Sequence, residues 1–205
     1  MLLERMKGQD AFCRAVSIAF APQISSIYAF AALSLACGLE ATRLQLLIAV
    51  FFTSLIPMAA LFAHMRWSNK DSNVEERTDR PILFLTAILS YFGGFASLKY
   101  VGAPFIFDAL MFAYFVNTIL AAFITRYATK VSIHTWGVTG PSVAILYCYG
   151  FAGLTLMLVA GLIVAGSRVE LGHHTVQQVS LSALVSIPLT WFVVYVFPAI
   201  FPPLL

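Results

Sequence analysis

The sequence predicts an all-α, polytopic transmembrane helix bundle of six or seven helices, and three observations predict it. Of its 205 residues, 60% are hydrophobic and only 10% charged, where soluble domains run nearer half and a quarter. The mean hydropathy is +0.89. The apolar residues also gather into stretches near the roughly 20 residues that a helix needs to cross bilayer hydrocarbon. The length suits one domain, a single integral membrane domain over residues 1–205. A net charge of +3 is too small to point to nucleic acid. The N-terminal apolar segment is long and carries no clear small-residue cleavage site, so it is not expected to be a signal peptide.

The elements follow in order. A first apolar helix is expected over residues 11–37, with Arg14 near its start, and a second over 44–65. A polar stretch covers 66–80. Pro81 then suits the first position of a third helix, which ends near Lys99. The fourth runs over 103–124, and a short polar stretch over 125–135 follows it. Residues 136–166 are apolar and uncharged, and read either as one long tilted helix or as two short ones turning near 149–153. Gly150 and Gly153 favour the turn, because glycine releases the backbone. A third polar stretch covers 167–178, and a last helix over 179–200 ends among Pro198, Pro202 and Pro203. Cys13, Cys37 and Cys148 lie in apolar stretches without metal or redox spacing and read as small buried hydrophobes.

Helix parity links the polar stretches. Two helices separate the first from the second, so these share a membrane face. If residues 136–166 form a hairpin, the third joins them, and nearly every polar group of the chain gathers in one place. The first stretch offers Lys70, Arg77 and Arg80, the second Lys130, Ser132 and His134, and the third Arg168, His173 and His174. Cations at helix ends also serve as topology anchors, which accounts for Arg66, Lys70 and Arg126 individually. Anchoring does not explain why histidines accompany the cations on two of the three stretches. Arginines, a lysine and two separated histidines are what phosphoryl transfer requires. Guanidinium groups hold phosphate oxygens bidentately and offset charge in the transition state. One imidazole attacks phosphorus, and another protonates the leaving oxygen.

The spacing of these residues resembles the type 2 phosphatidic acid phosphatase family, which shares its core with bacterial acid phosphatases and vanadium haloperoxidases. The family's third motif is Ser-Arg, five residues, His, three residues, Asp. Here Ser167-Arg168 is followed by residues 169–173, His174, three residues and Gln178. The second motif, Pro-Ser-Gly-His, corresponds to Val131-Ser132-Ile133-His134. The first, Lys, six residues, Arg-Pro, ends at Arg80-Pro81, with Asn73 at the lysine position and Lys70 or Arg77 as substitutes. The motif-bearing core thus covers about residues 66–200.

The resemblance implies roles. His174 attacks phosphorus and forms a phosphohistidine, and His134 protonates the leaving alkoxide and then activates water. Arg168, Arg80 and Arg77 hold the phosphate, helped by Ser132, Lys130 and Lys70. No metal or other cofactor is needed, because the cations do that work. Where the family has an aspartate that stabilises the nucleophilic histidine, this chain has Gln178. Four residues beyond His174, its amide oxygen still reaches the imidazole N–H if the last helix starts there, but it brings no negative charge.

Other polar residues have plainer readings. His173 is expected to pack at a polar edge, since adjacent residues do not share a helix face. His64 reads as interfacial, and Glu170 as a partner for an arginine. Asp108 lies inside the fourth apolar helix, where carboxylates are functional candidates by default. A zinc site from His134, His173 and His174 lacks a Glu or Cys at metal spacing.

A site between helices at the membrane surface suits a lipid phosphate, with its tail in the bilayer. Phosphatidate, phosphatidylglycerophosphate and polyprenyl phosphate or diphosphate all fit, and the short loops favour a prenyl or simple lipid phosphate. Excluding Arg77, Arg80, Lys130 and Arg168, six Lys or Arg residues lie on the motif face and two, Arg43 and Lys99, on the other. The positive-inside rule then points the motifs to the cytoplasm, in the cell membrane. The rival readings are a small anion transporter, for which no paired repeats are present, and a relative that binds lipid phosphate without turnover.

Overall fold

The computed structural model describes residues 2–38, 41–68 and 80–200, and every regular element among them is helical. In chain order these are α1 (Leu2–Ala19), α2 (Pro22–Cys37), α3 (Arg43–Val50), α4 (Ile56–Ser68), α5 (Arg80–Tyr100), α6 (Phe105–Tyr127), α7 (Ile133–Thr139), α8 (Ser142–Glu170) and α9 (Val176–Ile200). Four stretches are long and apolar enough to cross a membrane: Arg43–Trp67, Pro81–Tyr100, Phe105–Tyr127 and Val176–Val196. Two bent pairs, each a broken span or a re-entrant loop, bring the candidates to at most six among the described residues.

The expected helix over residues 11–37 is one of these bent pairs. α1 and α2 meet at 57°. The cause is Pro22, which stands in the first turn of α2 and holds the preceding Ala21 in extended geometry, with φ −56° and ψ 144°. Proline removes an N–H and disfavours helical backbone in the residue before it. Between α3 and α4 the helix widens into one π turn, Phe51–Leu55. There Ser90 of α5 donates to the Phe52 carbonyl at 2.6 Å, a bond between neighbouring helices of the kind that holds membrane bundles together.

Residues 136–166 resolve as a hairpin. Pro141 follows a 47° bend between α7 and the first part of α8. Gly150 then takes φ 62° and ψ −151°, a conformation that breaks α8 and is open almost only to glycine. Beyond it the chain returns antiparallel. A Cβ on Gly153 would meet Ile145, and one on Gly161 would meet Thr139 at 3.1 Å. Val164 packs with Val138 and with Val16 of α1. The turn lies midway between each pair, so the end of α8 comes back beside the start of α7.

The dense core occupies the other half of the bundle. Phe30, Leu33, Leu98, Phe107, Leu110 and Met111 are all essentially inaccessible there. Asp108, in the first turn of α6, pairs with Lys99 of α5 at 3.4 Å. The expected intramembrane carboxylate therefore clamps the α5–α6 turn at the end of the bundle away from the motifs.

Candidate active site

The spacing of Arg168 and His174 has a local structural cause. α8 ends at Glu170, with Gly172 beyond it at φ 71°. The Gly172 N–H reaches the Val169 carbonyl at 2.9 Å, and the His173 N–H reaches the Arg168 carbonyl at 3.1 Å. These two bonds define a Schellman motif, which needs a left-handed residue just past the helix end and so favours glycine. The His174 N–H also returns to the Arg168 carbonyl, at 3.3 Å. The turn thus ties the backbone of His174 to that of Arg168.

The next three residues fix the imidazole. Thr175 precedes α9 as its cap, and Gln178 is the third residue of the helix. The Gln178 N–H donates to Thr175 Oγ1 and the Thr175 N–H to Gln178 Oε1, both at 3.3 Å. This reciprocal pair is a capping box. The same Oε1 lies 3.1 Å from His174 Nδ1, and Gln178 Nε2 donates to Thr129 Oγ1 at 3.4 Å. An oxygen that accepts from Thr175 also accepts from His174, so Nδ1 carries the proton and Nε2 is the basic nitrogen of the ring. The expectation that Gln178 reaches the His174 ring matches this geometry. α9 itself begins at Val176, three residues before the expected start at 179.

His134 arrives from α7. Ser132 caps that helix: its buried Oγ accepts from the Thr135 N–H at 3.4 Å and from the Thr135 hydroxyl at 3.0 Å. The Ser132 N–H donates to Ser182 of α9 at 2.9 Å. His134 hydrogen-bonds to the backbone of Ser17 in α1 and lies within electrostatic reach of Arg168 and His174. Gly137 allows α7 to approach α2 closely, since a Cβ there would come within 3.3 Å of Pro22.

Arg168, His134, His173 and His174 line one end of a cavity of about 700 Å³. Arg168 is 4% exposed and His174 7%. Arg14 of α1 lines the same cavity. The remaining walls are mostly apolar and come from α4, α5 and α6 together with residues of α1, α2, α7 and α9. Two guanidinium groups and three imidazoles thus line one mostly apolar cavity, and guanidinium groups are suited to holding anionic oxygens.

The other expected site residues fall out as follows. Lys70, Arg77 and Asn73 lie outside the described residues, as does the Arg80 side chain; the Arg80 backbone opens α5, and Leu83 and Phe84 just beyond it line the cavity. Lys130 is half-buried, and neither it nor Ser132 is part of the cavity wall. Ser132 thus serves the site through the cap of α7. Glu170, expected to meet an arginine, accepts from Gln9 of α1 at 3.1 Å. His173 departs from the edge-packing expectation. It and His174 both face the cavity, because they sit in the turn between α8 and α9, where the facing rule for helices does not hold. Arg14 is marked in the sequence only by its charge inside an apolar stretch. No group of three or more His, Cys, Asp or Glu suited to a metal occurs among the described residues.

A polar network joins the helices behind the site. Trp136 Nε1 donates to Asn117 Oδ1 at 2.7 Å, and Asn117 Nδ2 donates to Thr190 at 3.0 Å. Thr139 and Ser186 are 2.7 Å apart. Gln178, Ser182, Ser186 and Thr190 recur every fourth residue, so one stripe of α9 faces α6 and α7. In a bilayer such groups must find partners within the protein. No family model, curated protein or solved structure matches this chain.

Proposed function

We propose that this protein is a metal-independent lipid phosphate phosphatase of the cell membrane, working through a phosphohistidine on His174. One observation carries the reading: His134, Arg168 and His174, brought from three helix ends, line a single, mostly apolar cavity. Arg168 holds the non-bridging oxygens, with the Arg80 side chain, one of Arg77 or Lys70, and Arg14 completing the cation set. Nε2 of His174 attacks phosphorus. The P–O bond to the lipid breaks as the Nε2–P bond forms, and His134 gives its proton to the leaving oxygen. His134 then takes a proton from water, whose oxygen attacks phosphorus. The Nε2–P bond breaks, inorganic phosphate leaves, and both histidines return to their starting states.

Gln178 is the departure with mechanistic weight. It holds the productive tautomer of His174 but offers a dipole where a carboxylate would offer a charge. The same departure supports a second reading, a protein that binds lipid phosphate without turning it over. The lysine and arginine count favours a cytoplasmic site. The test is phosphate release by detergent-purified protein from a panel of lipid monophosphates and diphosphates. Release that is lost in His174→Ala, persists with a chelator and is blocked by vanadate supports the enzyme. Lipid binding without release supports the second reading, and undiminished release by His174→Ala refutes the mechanism.

A further inference from the structure

The break between α1 and α2 does more than bend the chain. Pro22 has no N–H to give and holds Ala21 out of helical geometry, so the last turn of α1 does not close in the regular way. The Phe20 N–H reaches the Val16 carbonyl at 2.9 Å, but the Ala21 N–H turns to the Ile18 carbonyl at 3.1 Å. In an unbroken helix Ala21 would donate to Ser17. At the break the Ser17 carbonyl is passed over.

α7 is seated on this break. His134, Gly137 and Val138 stand three and four residues apart, on one face of the helix. All three meet α1 or the first turn of α2. Val138 packs with Val16, and a Cβ on Gly137 would come within 3.3 Å of Pro22. His134 hydrogen-bonds to the backbone of Ser17. The Ser17 N–H lies inside α1, so the released carbonyl is the partner, and a ring N–H donates to it. Ser17 is 8% exposed, so little water competes for that bond. The other groups near the ring, Arg168, His173 and His174, and Arg14 on the cavity wall, are all bases. The carbonyl end of α1, with its partial negative charge, is the acceptor side of the ring.

We propose that the α1–α2 break positions His134 for catalysis: Pro22 releases the Ser17 carbonyl, and this carbonyl keeps one ring nitrogen protonated. The proton that moves is then the one on the other nitrogen. It passes to the leaving oxygen and is regained from the attacking water. Ser17 and Pro22 are thus positioning residues outside the three motifs. The catalytic part of this inference rests on the phosphatase reading.

The experiment replaces Ile18 by its α-hydroxy acid. This turns the Ser17 carbonyl from an amide into an ester, a weaker acceptor, and leaves every side chain unchanged. The same replacement at Val16 is the control, because it removes a helical N–H without touching the Ser17 carbonyl. Release of phosphate from phosphatidate and farnesyl phosphate in detergent micelles gives kcat and KM. Nitrogen NMR of labelled histidine gives the His134 tautomer without turnover. The Ile18 ester should lower kcat about three- to tenfold with KM unchanged, and should mix tautomers that are single in the wild-type protein. The Val16 ester should keep the wild-type values. Pro22→Ala returns an N–H to the Ile18 carbonyl and frees that of Ala21 for Ser17. It should move kcat and the tautomer in the same direction, with thermal unfolding reporting its fold. An Ile18 ester with wild-type kcat and a single tautomer, or equal losses in the two esters, would overturn the positioning role and leave the phosphatase reading intact. No release by wild-type protein, with a tautomer that still responds to the Ile18 ester, would overturn the phosphatase reading and with it the catalytic part, and keep the Ser17 contact.

Discussion

Replacing Gln178 by alanine removes three contacts: the bond to His174 Nδ1, the return bond from Thr175 and the donation to Thr129. The first of these bears on rate. A hydrogen bond between neutral groups contributes about 0.5–1.5 kcal/mol, and one to a charged group about 1.5–3 kcal/mol. In the proposed mechanism the His174 ring becomes cationic as Nε2 bonds to phosphorus, so the bond strengthens by about 1–1.5 kcal/mol between ground and transition states. At 1.36 kcal/mol per tenfold, kcat should fall about 5- to 12-fold in Gln178→Ala. The bond to the neutral ring is already present in the free protein, so kcat/KM should fall by about the same factor. Loss of the capping box costs about 1 kcal/mol of stability as well, which thermal unfolding measures separately. Gln178→Glu keeps the acceptor for His174 and Thr175 and places a full negative charge by the ring. Its kcat should equal or exceed that of the wild-type protein. Steady-state phosphate release in detergent micelles gives both numbers. A folded Gln178→Ala with wild-type kcat, or a Gln178→Glu as slow as Gln178→Ala, would refute the orienting role.

Three further predictions concern the frame. Gly150→Ala meets no atom within 4 Å, so its cost of about 1–3 kcal/mol is purely backbone strain; the protein should unfold at lower temperature and lose activity as the hairpin opens. Gly172→Ala also meets open space at φ 71°, and the lost left-handed turn should cost about 1–2 kcal/mol and lower kcat, because Arg168 and His174 share that turn. Asn117→Leu leaves the Trp136 N–H without its acceptor, so about 1–3 kcal/mol of stability should go, measured by thermal unfolding in detergent.

The hairpin was legible because one physical rule, the freedom of glycine, coincided with an uncharged stretch too long for a single span. Its consequence, His134 beside the Arg168–His174 turn, followed from parity alone. The His174–Gln178 bond was legible too, because a four-residue offset at a helix start fixes a distance. The break at Pro22 was readable in principle, but the hydropathy of residues 11–37 masked it. Contacts between helices were not legible. Nothing in local spacing tells that Asn117 joins Trp136 to Thr190, that Lys99 meets Asp108, or that Arg14 reaches the cavity. The inward position of His173 is not legible from helical spacing, because His173 lies in the turn between α8 and α9. Ser132 keeps the motif position, but the capping demand of α7 claims its hydroxyl.

The central claim is that His174 carries the phosphoryl group. The direct measurement is a rapid base quench of the protein during turnover of a lipid phosphate, followed by mass spectrometry of the peptide containing His174. The account predicts a phosphoryl adduct on His174 Nε2, absent in His174→Ala and longer-lived when His134 is replaced. Steady release of phosphate with no adduct on His174, or full activity in His174→Ala, would contradict it.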